Sequence, residues 1–233
     1  VEVPTVTEDS TNPADPVVTS PASAVTVNSA TQTISGTHTE NGVIIRAFAD
    51  ANNDGVADNA TPLGTDTVSG NAWSFSVSLT GDTENNFVVD AVDAAGNLSN
   101  DVDVPTITED SVAPTVTNVT SSTANGTYGA GSVVAITVTF DEAVTVSGTP
   151  KLTLETGGVD GVATYASGSG TNTLTFNYTI LTGDITSDLD YVGANALSLE
   201  IADSIEDAAG NDATLTLATP GTAGSLGANK AIV

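Results

Sequence analysis

The sequence predicts an all-β chain of two tandem β-sandwiches, and two observations carry that prediction. The first is patterning. Thr, Val, Ser, Gly and Ala dominate, apolar runs are short and alternate with polar residues, and no amphipathic helix of useful length is present. The second is a repeated phrase. Val3-Pro4-Thr5-Val6-Thr7-Glu8-Asp9-Ser10 recurs as Val104-Pro105-Thr106-Ile107-Thr108-Glu109-Asp110-Ser111, an offset of 101 residues from Val3 to Val104. That period is too long for a solenoid unit and right for a small domain. The phrase reads as a boundary: the last strand of one domain, an acidic hinge, then the first strand of the next. Residues 1–10 are expected to end a preceding repeat, 11–110 to form the first sandwich and 111–233 a longer second one.

Each element follows from local pattern. In the first unit the expected strands are 17–19, 31–35, 43–49, 63–68, 72–79, 86–92 and 102–108, with Asn41-Gly42 a turn before the third. Trp73, Phe75 and Val77 alternate with Ser74, Ser76 and Ser78, as in a half-buried strand. Trp73 is therefore expected in the core, not as a carbohydrate platform. Seven short strands in one unit suggest an immunoglobulin-like sandwich. In the second unit 133–140 alternates most cleanly, and 115–120, 150–155, 162–167, 173–180 and 197–201 complete the pattern. Gly168-Ser169-Gly170 marks a hairpin. Both 214–217 and 231–233 read as the last strand, and the sequence leaves that open.

Composition narrows function. The 233 residues carry 29 acidic and 3 basic side chains, a net charge of −26, yet only 14% of residues are charged. The excess comes from missing Lys and Arg: Arg46, Lys151 and Lys230 are the only basic residues. Such a chain does not bind nucleic acid or an anionic membrane by charge. It repels itself unless cations are bound, and carboxylates are the ligands that hard divalent cations prefer. There is no cysteine, so no disulfide and no thiolate metal site, which fits a secreted chain. No apolar run reaches the roughly 20 residues that span a bilayer. No leader opens the chain, as expected of a slice of an array or of a protein exported by a C-terminal signal.

Two motifs carry chemistry. Asp50-Ala51-Asn52-Asn53-Asp54-Gly55-Val56-Ala57-Asp58 matches the first half of a calcium loop, D-x-N-x-D-G. Alternate oxygen side chains, Asp50, Asn52 and Asp54, converge, Gly55 allows the turn, and the Val56 carbonyl and Asp58 add oxygens. Its twelfth position is Thr61, not Glu, so the bidentate ligand is sought in Asp66, Asp82 or Glu84. The competing reading is a metal-free Asn/Asp/Gly turn. The second motif occurs twice, as Asp93-Ala94-Ala95-Gly96-Asn97 and Asp207-Ala208-Ala209-Gly210-Asn211. A turn explains the glycine; the repeated acid suggests a ligand role for Asp93 and Asp207.

Sandwich topology joins these pieces. The 50–58 loop and the turn carrying Asp82 and Glu84 are expected at the end that faces the hinge, Glu109 and Asp110. Asp207 and Asn211 are expected to reach that hinge from the second unit. Outer half-sites would comprise Glu8, Asp9, Asp93 and Asn97 at one end and Asp184, Asp188 and Asp190 at the other. Like charges so placed push domains apart, and calcium would lock them. Catalysis finds little support. His38, the single histidine, is expected at an exposed strand end, and carboxylate pairs arise by chance among 29 acids.

The phrases Thr-Glu-Asp-Ser, Asp-x-Asn-x-Asp-Gly and Asp-Ala-Ala-Gly-Asn resemble bacterial Ig-like repeats, as do Phe140-Asp141-Glu142-Ala143-Val144-Thr145-Val146 and Gly224-Ser225-Leu226-Gly227-Ala228-Asn229-Lys230. Such repeats occur in very large RTX-type biofilm adhesins exported by type I secretion. The resemblance covers nearly the whole chain. It implies head-to-tail sandwiches with Ca2+ at the junctions, on the outer surface of a Gram-negative cell, holding a distal binding region away from it. The hinge here carries Glu-Asp-Ser where many relatives have Asp-Thr-Thr, which leaves Glu109 and Asp110 open as the ligand. The expected partners are neighbouring repeats of the same chain, with a monomer and no membrane insertion. A rival reading makes the second unit a glycan- or protein-binding domain, with Tyr128, Tyr165 and Tyr191 to inspect. A glycosidase and an ice-binding surface are more distant rivals.

Overall fold

The computed structural model describes residues 8–233; the strand expected over 3–7 lies outside the described residues. The chain divides into two compact units, Val1–Ser111 and Val112–Val233. Both are all-β.

In the first unit β1 (Val17–Ser20), β3 (Thr31–Thr37) and β6 (Ala72–Ser78) form one sheet, in the order β1-β3-β6. The facing sheet has the order β2-β8-β7-β4-β5, built from β2 (Val25–Val27), β4 (Ile44–Ala49), β5 (Gly64–Thr67), β7 (Thr83–Val92) and β8 (Val102–Glu109). This is an immunoglobulin-like sandwich. All seven expected strands form. An eighth, β2, was not anticipated; it pairs parallel to β8 from Val25 opposite Ile107 to Val27 opposite Glu109. The fifth strand joins β4, so β4 and β5 make a hairpin within one sheet.

The alternation of β6 has the consequence expected of it. Trp73 and Val77 are buried with Ile34, Ile45, Val89 and Ile107, and Trp73 stacks on Phe75 with centroids 5.5 Å apart. Trp73 is 2% exposed and is core. Its Nε1 has no hydrogen-bond partner among the described residues.

The second unit is organised on β10 (Val133–Ser147), which continues well past the expected 133–140. Its first half pairs with β9 (Val116–Ser121) on one side and β13 (Thr171–Thr179) on the other. After a register break its last residues pair with β16 (Ser204–Glu206). Beyond β13 come β12 (Gly161–Ser167) and β11 (Lys151–Glu155), then the two short strands β14 (Asp190–Tyr191) and β15 (Leu197–Ser198) on β11. The strand expected over 197–201 stops early, because Ile201 is fully exposed and has nothing to pack against. Phe140, Phe176, Tyr191, Leu152 and Leu226 fill the core.

Both open readings of the last strand have a role. Thr214 bridges Thr115 in parallel, while Ile232 bridges Gly126 in parallel and accepts from Leu189 N–H at 2.8 Å. The Gly/Ala-rich stretch between them holds α1 (Leu226–Asn229), capped by buried Ser225. It shields the free edge of β9: Val119 N–H donates to the Gly224 carbonyl, and Asn229 Nδ2 donates to the Val119 carbonyl, both at 2.8 Å. An uncovered edge would invite pairing with another chain.

Candidate functional site

The acidic groups sort by the end of the unit they occupy. In the first unit the chain enters beside the turn that follows β7. Asn97 Nδ2 donates to the Asp9 carbonyl at 3.2 Å, and Asn100 N–H donates to Asp15 Oδ1 at 2.9 Å. His38 closes the same end. It is 3% exposed, with Nε2 2.7 Å from the Ala14 carbonyl. The expectation of an exposed histidine is thus corrected: its ring pins the entering segment, and buried Pro13 and Pro16 flank that bond. Of the outer set, Asp93 and Asn97 bond to each other and Asn97 reaches the Asp9 carbonyl, while Glu8 and Asp9 are both exposed.

The chain leaves at the opposite end of β7. Asp82 N–H donates to Glu109 Oε2 at 2.7 Å, and Ser111 N–H donates to Asp82 Oδ1 at 3.0 Å. Asp110 N–H continues the β2 ladder to the Val27 carbonyl at 2.9 Å. Asn85, which sequence reasoning passed over, braces the turn from within: Thr80 N–H donates to its Oδ1 at 2.7 Å, and its Nδ2 donates to the Thr80 carbonyl at 3.1 Å. Glu84 stands opposite Thr108, is exposed and makes none of these bonds.

The Asp50–Asp58 loop departs from expectation in position. It does not stop at the exit end but folds back along the outer face of the sheet. There Ala57 N–H donates to Asp101 Oδ2 at 2.9 Å, and a Cβ at Gly55 would lie 3.3 Å from Asp103 Oδ1. The reason is apolar: Phe48 and Val88 point outward from β4 and β7 yet are 4% and 0% exposed, so something must cover them. The contiguous runs Ala47-Phe48-Ala49 and Phe87-Val88-Val89 were the available signal, since a sheet covered on both faces loses its alternation.

Within the loop, Asp50 is 1% exposed and accepts from Asp54 N–H at 3.1 Å and Gly55 N–H at 3.0 Å. Asn52 Oδ1 accepts from Asp54 N–H at 3.3 Å, and Val56 N–H donates to Asp54 Oδ1 at 3.0 Å. Asp58 Oδ2 accepts from Ala51 N–H at 2.6 Å. Asp101 and Asp103, which the sequence did not suggest, stand beside this loop, and Glu84 lines a hollow with Ala49 and Ala51 at its start. Asp66 instead holds β5 to β6 by accepting from Ser74 N–H at 2.8 Å.

The two Asp-Ala-Ala-Gly-Asn turns are the same object. Asp93 Oδ1 accepts from Ala95 N–H at 2.8 Å and Asn97 N–H at 2.9 Å, and its Oδ2 accepts from Asn97 Nδ2 at 2.8 Å. Asp207 makes the equivalent bonds with Ala209 and Asn211 at the same three distances. The turn therefore uses the acid as well as the glycine, so repetition by itself does not separate a turn former from a ligand. The Asn97 amide, foremost among these donors, holds Asp93 below the usual carboxylate range.

In the second unit the Asp207 turn lies at the end where the chain enters. Glu206 bridges Asp212, and Thr214 N–H donates to the Pro114 carbonyl at 2.7 Å. Beside it Asp141 accepts from Thr115 Oγ1 at 2.6 Å and Thr115 N–H at 2.8 Å. The hydroxyl, then the amide, lowers its pKa.

The expected set of Asp184, Asp188 and Asp190 does not assemble. Asp184 accepts from Leu181 N–H at 2.6 Å and from the Tyr178 hydroxyl. Asp190 turns to Gly221 N–H at 2.9 Å, and Asp188 is exposed. Of the three tyrosines to inspect, Tyr191 is buried with its hydroxyl on the Ala218 carbonyl, and burial with the nearby Asp190 charge pushes it up to about 12. Tyr165 is half-buried and accepts from Ser169 N–H. Tyr128 lies beside a cavity.

No helix among the described residues is long and apolar enough to cross a membrane. No family model matches the chain, and no curated protein matches it. Among solved structures the D00-D0 domain of intimin is similar at 16% identity and a TM-score of 0.29, over 79% of this chain and 100% of that one. A likeness at that score carries no argument about function, and the immunoglobulin-like assignment rests on the strand order described above.

Proposed function

We propose that this chain is an extender module of a bacterial cell-surface adhesin, a row of sandwiches stiffened by calcium that carries a binding region outward. The observation that supports it is the through-going path of the chain in each unit. In the first, the entering segment is tied to the turn after β7 and the departing segment to the turn before it. Ten residues of strand separate the two, about 30 Å at roughly 3.3 Å per residue. In the second, entry lies at Thr115 and Asp141, while Ile232 lies beside Gly126 and Leu189, toward the other end of β10. Domains so built lengthen a chain with each repeat.

Calcium is assigned to two places. One is the outer-face loop of Asp50, Asn52, Asp54, the Val56 carbonyl and Asp58, with Asp101 and Asp103 as added donors. The other is the hinge that ends the first unit, Asp82, Glu109 and Asp110; Asp207 and Asn211 are a further candidate pair within the second. The repeat supports the hinge: Asp110 stands in the phrase where Asp9 stands, and the Asp9 carbonyl accepts from Asn97 Nδ2. A net charge of −26 makes such cations favourable. The module is read as non-catalytic, since its one histidine is buried against backbone.

The test is small-angle scattering and thermal unfolding in millimolar calcium and then in chelator. Calcium should raise the melting temperature and narrow the range of lengths, and Asp110→Ala should widen that range again. If neither melting nor shape responds to calcium, the metal assignment is wrong.

A further inference from the structure

One end of the second unit carries a small apolar cavity with a carboxylate at its wall. Tyr128, Tyr178, Ile180, Ile185, Leu189 and Ile232 line it with Asp184. Its volume is about 40 Å³, room for about three water centres at roughly 10–15 Å³ each. The Tyr128 hydroxyl is engaged with the Ala124 carbonyl at 2.8 Å, so only its ring is offered. Asp184 Oδ2 accepts from Leu181 N–H and the Tyr178 hydroxyl, and Asp184 Oδ1 accepts no hydrogen bond among the described residues. At the cavity Ile185 is 79% exposed, while Leu181 is 60% and Val159 82% exposed in the adjoining hollow that Asp184 also lines. Exposed aliphatic side chains gathered at one place mark a contact surface.

We propose that this cavity receives a lysine side chain presented by a basic polypeptide. The cavity is small, about 40 Å³, which suits an unbranched alkyl stem better than a planar guanidinium or an aromatic ring. Its aliphatic wall would take the four methylenes, in the way lysine stems lie along apolar surface. The ammonium would meet the open oxygen of Asp184 and the ring faces of Tyr128 and Tyr178. The field of a chain at −26 draws a cation toward it and turns away an acidic peptide. Nothing in this depends on calcium or on the extender reading, so either can fail alone.

The experiment titrates the full chain with a blocked tripeptide, Gly-Lys-Gly, followed by NMR of the tyrosine rings and of Ile185. The same peptide with norleucine or arginine in place of lysine serves as comparison. Lysine should shift Tyr128, Tyr178 and Ile185, norleucine should not, and arginine should bind more weakly. Asp184→Asn keeps an oxygen for Leu181 and Tyr178 but loses the charge, and should weaken lysine binding by roughly tenfold or more. Glu40→Gln, in the first unit, should leave it unchanged. Equal shifts with norleucine would make the groove merely apolar, and unchanged binding in Asp184→Asn, or shifts spread over the acidic surface, would mean non-specific attraction. Each of these overturns the proposal, as does the absence of any shift at tens of millimolar peptide.

Discussion

Replacing Asp207 by Asn separates a turn from a metal site. In the turn, Asp207 Oδ1 takes two backbone N–H groups and Oδ2 takes the Asn211 amide. Asparagine can still accept the first two through its one oxygen and loses the third, so the turn alone predicts a loss of about 1 kcal/mol. That loss should be the same with and without calcium. A ligand role adds a second term. For a site with a dissociation constant of about 0.1 mM, as in extracellular modules, 10 mM calcium is about a hundredfold excess and stabilises by about 2.7 kcal/mol. Asp207→Asn should remove most of that as well, so the variant should lose about 4 kcal/mol in calcium and about 1 in chelator. The assay is urea unfolding with a separate reporter for each unit. All four tyrosines lie in the second unit and the single tryptophan in the first. Tyrosine near-UV dichroism therefore follows the unit that carries Asp207, and Trp73 fluorescence follows the other. A loss of the same size in both buffers would refute the ligand role and leave Asp207 as a turn former.

Two further outcomes follow from the same geometry. Gly36→Ala should destabilise the first unit by about 3 kcal/mol, because its Cβ would sit 1.9 Å from the Val17 carbonyl and 2.4 Å from the Trp73 ring. Trp73 fluorescence should show a fall of about 2 M in the urea midpoint, and an unchanged midpoint would contradict that packing. Thr115→Val should weaken the second unit near neutral pH by freeing Asp141. Its folded pKa lies below the ordinary 3.8, so its contribution is present above that value and lost as pH falls through the lowered one. The gap between variant and parent should close in strong acid, and a gap independent of pH would assign the effect to lost packing.

The strands were legible because alternation reports one buried face. Val133–Phe140 and Ala72–Ser78 show it and fold accordingly. The strand Val25–Val27 was not legible: three residues, all half-buried, are too short for a period, and what makes them a strand is parallel pairing with Ile107–Glu109, far along the chain. The helical turn at Leu226–Asn229 was hidden for a like reason. Its composition is that of a loop, and its shape comes from the Ser225 cap and from Leu226 entering the core.

The acidic motifs teach a different lesson. Their oxygen chemistry could be read directly, and their direction could not. The 50–58 loop was placed at the exit end by strand order alone, yet the outward Phe48 and Val88 draw it over the sheet to Asp101 and Asp103. Repetition was also a weaker guide than it looked. Asp93 and Asp207 recur where the same turn needs the same acceptor twice, for the N–H groups of Asn97 and Asn211. A carboxylate oxygen that already accepts two N–H groups can still reach a cation, but its hydrogen bonds cannot reveal that it does. The ligand question therefore passes from the recurrence of an acid to the calcium dependence of its loss, which only a paired measurement in calcium and chelator can supply.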